Sequence, residues 1–135
     1  MRIFLDTNVL VSAFTTRGLS ADVLRLVLVE HELITGEFNL EEFRRVLRAR
    51  MNAPDALIDE AEQLLREQDV VPRPAESYPI QIRDPDDAWV LASALSGAAE
   101  VLVAGDNDLP DLGSETPLRI LTPREFWELS RRVTS

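Results

Sequence analysis

The chain has 135 residues and a formal net charge of −10, with a sequence pI near 4.5. That length supports one hydrophobic core, and the acidic balance excludes broad, non-specific adhesion to nucleic acid, which needs a basic surface. Cys is absent, so thiolate metal sites are excluded and nothing requires an oxidising compartment. No apolar run approaches the roughly 20 residues that span a membrane, and the N-terminus MRIFLDTNVL reads as a strand, not a signal peptide. We expect one cytoplasmic domain over 1–135. The basic residues are all Arg, which reflects either codon usage or Arg-type phosphate recognition.

Arg2–Leu5 is a short apolar, strand-like run, followed by Asp6, Thr7 and Asn8. Val9–Phe14 reads as a short helix. Ser20 suits an N-cap for a helix to about Glu30, with Val23, Leu24, Val27 and Leu28 on one face. Glu32–Thr35 is a second strand. Asn39 suits an N-cap, with Glu42 completing a capping box ahead of the stripe Leu40, Phe43, Val46 and Leu47. A further helix follows Pro54, with Leu57, Ile58, Ala61, Leu64 and Leu65 apolar. Val70-Val71 is a short strand, and Pro72–Arg83 is a polar surface loop. Asp84-Pro85 sets an N-cap and N1 for a helix from Asp86 to about Ser96, closed by Gly97. Val101–Val103 and Leu118–Leu121 are strands. Thr122 and Glu125 form a capping box for a C-terminal helix.

Strands alternating with helices imply a three-layer α/β/α sandwich with a mainly parallel central sheet. Ligands in such sheets bind outside the carboxyl ends of the strands. Asp6 and Asp106 both follow strands directly.

Each acidic residue near those ends has two readings. Asp6 is a turn or helix N-cap residue, or a site carboxylate that Thr7 and Asn8 orient. Glu42 is the capping partner of Asn39, or it faces the sheet edge from the border of its stripe, beside Val46. Glu41 falls on the opposite, solvated face with Arg44, Arg45 and Arg48. Asp87 shares the face of Val90 and Leu91, as a helix-dipole residue or a ligand, whereas Asp86 points elsewhere and Asp84 is the N-cap. Asp106 and Asp108 lie in a Gly-Asp-Asn-Asp turn without the spacing of an EF-hand. If these carboxylates converge, they cannot all stay ionised without a cation, and Mg²⁺ or Mn²⁺ suits oxygen donors.

The remaining candidates read as structural. His31 has no Cys, His or Ser partner in the pattern, and Ser12 and Ser20 lack nucleophile-elbow glycines. Trp89 and Trp127 read as packing or surface residues. Arg44, Arg45, Arg48 and Arg50 are either a solvated helix face or a phosphate-facing patch.

Four segments together resemble the PIN-domain family. They are FLDTNVLVSAF, NLEEFRRVL, RDPDDAWVLASALSGAAEVLVAGDNDL and ILTPREFWEL. The resemblance places the family's acidic positions at Asp6, Glu42, Asp87 and Asp106, with Asp108 in the last turn, and is strongest to the VapC-type toxins of toxin–antitoxin pairs. It implies a metal-dependent endoribonuclease in which these five residues hold Mg²⁺ or Mn²⁺, with Thr7 and Asn8 supporting ligands or substrate. The acidic net charge is compatible with this, because a bound metal reverses the local potential. RNA, a cognate antitoxin and a second copy in a homodimer are the implied partners. The C-terminal helix and Val9–Phe14 are candidates for the protein contacts, unless the core buries them. Ala104 departs from the family's usual Thr or Ser, and Pro110 from an apolar residue. Alternatives are a catalytically weak PIN scaffold and a stand-alone PIN nuclease. A phosphotransfer enzyme using Asp6 is disfavoured, because such folds want a later Lys and the chain has none.

Overall fold

The computed structural model describes residues 1–79, 84–105 and 116–134, with side chains described as far as Arg131. Among these residues five strands form one sheet: β1 (Arg2–Leu5), β2 (Glu32–Gly36), β3 (Asp69–Val71), β4 (Val101–Val103) and β5 (Arg119–Leu121). The strand order is β3-β2-β1-β4-β5, and every pairing is parallel. The helices are α1 (Thr7–Thr15), α2 (Leu19–Glu30), α3 (Glu37–Ala49), α4 (Asp55–Arg66), α5 (Pro85–Ser96) and α6 (Pro123–Thr134). No helix among the described residues is long and apolar enough to cross a membrane.

Alternation along the strands builds two cores, because successive side chains point to opposite faces. Ile3, Leu5, Leu33, Val101 and Val103 face α1, α2, α4, Phe126 of α6 and most of α3. Phe4, Ile34, Leu102 and Ile120 face α5 through Val90, Leu91 and Ala94. This is the three-layer α/β/α sandwich that the sequence predicts. The chain builds outward from β1 to β3 and then returns to the other side of β1, so the topology switches between β1 and β4. Open parallel sheets bind ligands at such a point, beyond the carboxyl ends of the strands.

Three expectations need correction. Gly18, not Ser20, precedes the first residue of α2, with φ 140° and ψ −153°, a region that glycine alone enters readily. Asn39 is not an N-cap: Gly36 leaves β2 in extended conformation and the helix begins at once with Glu37, so Asn39 lies inside the first turn and is fully buried. On α4 the buried stripe is Ile58, Ala61 and Leu65, while Leu57 and Leu64 are 46% and 36% exposed. That helix packs on α3 and β3 alone among its stronger contacts, and so narrow a contact covers a narrow stripe.

Other signals hold locally. Asp84 caps α5, accepting from the Asp86 amide at 3.0 Å. Thr122 and Glu125 exchange both bonds of a capping box, at 2.9 and 3.1 Å. His31 closes α2 and packs edge-on against Phe126, with ring centroids 5.8 Å apart. Trp89 stacks on Phe38, and Trp127 packs against the first core. Val9, Leu10, Val11 and Phe126 are buried in the core, which removes them as candidates for a partner contact.

Candidate active site

Strand β1 runs straight into α1, and Asp6 is the joint. Its amide donates to Val103 O at 2.9 Å, tying β1 to β4 at the switch point. Its carboxylate accepts from the Thr7 amide at 2.8 Å and caps α1. The capping and site readings of Asp6 are therefore compatible: the helix start aims a side chain that is only 4% exposed into a cleft at the sheet edge.

The cleft encloses about 340 Å³ and is walled by Asp6, Thr7 and Asn8 on one side, Glu42 and Arg45 of α3 on another, and the acidic start of α5. At about 30 Å³ per water molecule, that space admits a hydrated cation together with a phosphate group.

Glu42 reaches the cleft through a relay. The Thr7 hydroxyl donates to Glu42 Oε1 at 2.9 Å, and Asn39 Nδ2 donates to Thr7 Oγ1 at 3.0 Å. Asn39 and Thr7 are both buried, so the relay sets the carboxylate's position from inside the fold. The site reading of Glu42 holds and its capping reading fails, since its expected partner serves Thr7 instead. Burial pushes Glu42 up to about 7; the negative charges of Asp86 and Asp6 add to this, and the Thr7 hydrogen bond opposes it. Glu41 lies on the far side, exposed and paired with Arg73 at 3.2 Å, as the helical phase requires.

Asp87 is 7% exposed and lines the cleft with Asp84 and Asp86. The expectation for Asp86 was wrong. It lines the cleft with Glu42, and its negative charge adds to the upward shift of the Glu42 carboxyl. At the first turn of a helix, side chains lean toward the N-terminus, so neighbouring residues reach a site lying over the helix end. The sequence does carry the signal, in three aspartates around one proline.

Asp106 and Asp108 lie outside the described residues. Ala104, just before them, is fully buried and its amide bonds Leu121 O at 2.9 Å. Among the described residues no three acidic or His side chains stand close enough to hold a metal by themselves. The donor set nevertheless fits a hard cation, because it is all carboxylate and amide or hydroxyl oxygen.

A parallel α/β sandwich with acidic side chains gathered outside its central strand defines a class of domains built around an oxygen-donor cleft. Within that class the chain belongs to the PIN-domain family, whose model matches residues 2–108. No curated protein matches the sequence. Among solved structures, the chain is similar to VapBC2 from Rickettsia felis bound to a promoter DNA fragment, at TM-score 0.65 and 16% identity over 90% of this chain and 98% of that one. It is similar to VapBC-1 from nontypeable Haemophilus influenzae, at TM-score 0.61 and 20% identity over 92% and 99%. It is also similar to VapC20 of Mycobacterium tuberculosis, a Sarcin-Ricin loop cleaving toxin, at TM-score 0.60 and 17% identity over 82% and 95%. At these identities the likeness is one of fold.

Proposed function

We propose that the protein is a divalent-metal-dependent endoribonuclease and the toxin of a toxin–antitoxin pair. The observation that carries this reading is the convergence of Asp6, Glu42 and Asp87, from β1, α3 and α5, on one cleft at the switch point. Membership of the PIN family and the fold shared with VapC toxins, one of them a Sarcin-Ricin loop cleaving toxin, support it.

Asp6, Glu42 and Asp87, joined by Asp106 and Asp108, would hold Mg²⁺ or Mn²⁺. Such an ion supplies charge neutralisation at the phosphate and a more acidic water. Thr7 and Asn39 keep Glu42 in place, where it would complete the ligand set or orient the attacking water. Asn8 is exposed at the cleft mouth, where its amide can bond substrate. RNA is the substrate of this reading; an antitoxin and a second copy of the chain are its protein partners.

Ala104 favours a second reading. A buried methyl stands where a hydroxyl is usual in the resembling family, which would leave a weak nuclease that acts by binding. One experiment separates the two. Purified full-length protein is incubated with an oligoribonucleotide in Mn²⁺, in Mg²⁺ and in excess EDTA, beside Asp87→Asn and Glu41→Gln. Cleavage should require the metal, vanish in Asp87→Asn with the fold retained, and survive in Glu41→Gln. Undiminished cleavage in EDTA would sink the metal-dependent reading. Metal-stimulated binding without cleavage would favour the scaffold.

A further inference from the structure

The arginines of α3 divide into two sets. Arg44 bonds Asp59 at 3.0 Å and Glu62 at 2.8 Å, and Arg48 bonds Asp55 at 3.1 Å. Both brace α3 against α4. Arg45 and Arg50 instead line the carboxylate cleft, with Val46 and Ala49 between them. Arg45 is 66% exposed, and its ion pair is a long 3.8 Å approach to Glu42. Arg50, also exposed, makes no ion pair among the described residues.

We infer that Arg45 and Arg50 form a subsite for the backbone phosphates of single-stranded RNA, next to the scissile phosphate. The inference rests on the nuclease reading above. A chain of net charge −10 needs local positive charge to hold a polyanion, and these two arginines line the same cleft as the acidic start of α5. The planar fork of Arg matches phosphate oxygens two at a time. Both side chains are exposed, and neither is held by the α4 acids that hold Arg44 and Arg48. A strand laid across the cleft would meet carboxylates with one phosphate and the arginine wall with its neighbours. The contacts read charge and spacing rather than bases.

Binding of a labelled oligoribonucleotide is measured across a salt series in the Asp6→Asn background, which prevents turnover. For single strands each phosphate contact contributes roughly 0.7 to the slope of log affinity against log salt. Arg50→Gln should flatten the slope by about 0.7 and Arg45→Gln/Arg50→Gln by about 1.4, with Arg50→Lys retaining it. Arg48→Gln, which removes the same charge from the bracing set, should leave slope and affinity unchanged. In the active chain, Arg50→Gln should raise KM several-fold with a much smaller fall in kcat. Arg50→Gln is the cleaner variant, since Arg45 also stands near Glu42. If the Asp6→Asn parent binds RNA and the unmutated chain cuts it while both Arg variants keep the parent's slope, or if Arg48→Gln flattens it equally, the subsite is wrong and the nuclease reading stands. An Asp6→Asn parent that does not bind RNA, with an unmutated chain that does not cut it, would overturn both.

Discussion

Replacing Glu42 by Gln should make the metal-free protein more stable at pH 8 and leave it little changed at pH 4.5. The folded-state pKa of Glu42 is raised from 4.5 to about 7, first by burial and then by Asp86 of α5 and Asp6 at the end of β1. The hydrogen bond from the Thr7 hydroxyl opposes this. A carboxyl whose pKa is raised on folding contributes stability below its unfolded pKa, and that contribution is lost as pH rises through the folded pKa. The window therefore runs from about 4.5 to about 7. At 1.36 kcal/mol per unit, the full shift is worth about 3 kcal/mol. The side chain is 14% exposed, and allowing for solvent screening leaves about 2 kcal/mol. Gln has the same shape, keeps Oε1 for the Thr7 hydroxyl at its 2.9 Å contact, and carries no charge. Urea unfolding in EDTA at the two pH values reads the difference; at a few degrees per kcal/mol, the melting temperature at pH 8 should rise by on the order of 6 °C. Saturating Mn²⁺ should reverse the ranking by stabilising the wild-type carboxylates. A stability gap equal at both pH values, or of opposite sign at pH 8, would refute the reasoning.

Two further changes test the scaffold behind the site. Asn39→Ala removes the donor that holds Thr7 Oγ1 at 3.0 Å from a fully buried position, so it should cost about 1–3 kcal/mol and shrink the stabilisation by Mn²⁺; an unchanged melting temperature and metal response would show the relay to be idle. Gly97→Ala places a methyl 2.7 Å from Ile34 Cγ2 and 3.0 Å from Val71 Cγ1, although its φ of −83° suits any residue. Overpacking between α5 and the sheet should lower the urea midpoint by the equivalent of about 1–3 kcal/mol, and a wild-type midpoint would contradict that close approach.

Local chemistry made much of this protein legible before folding. Asp84 with Pro85 marks the start of α5, and Thr122 with Glu125 the start of α6, because each cap completes its bonds within three residues. Alternating short apolar runs fixed the fold class, since each run buries both faces of a strand. The strand-end position of Asp6 then pointed to the site edge. Glu42 and Glu41 separated by helical phase alone, and their exposures differ accordingly, at 14% and 68%. Asn39 shows where such reasoning stops. Its sequence context suits a cap, but Thr7, its partner, lies 32 residues away, and only the packing of α3 on α1 brings them together. Asp86 likewise depends on where α5 begins relative to α3. The division of four neighbouring arginines into a brace and a cleft wall was set by α4, whose acids capture Arg44 and Arg48. Periodicity specifies which face of an element is apolar; which polar groups meet across elements is decided by the tertiary arrangement that burying those faces imposes.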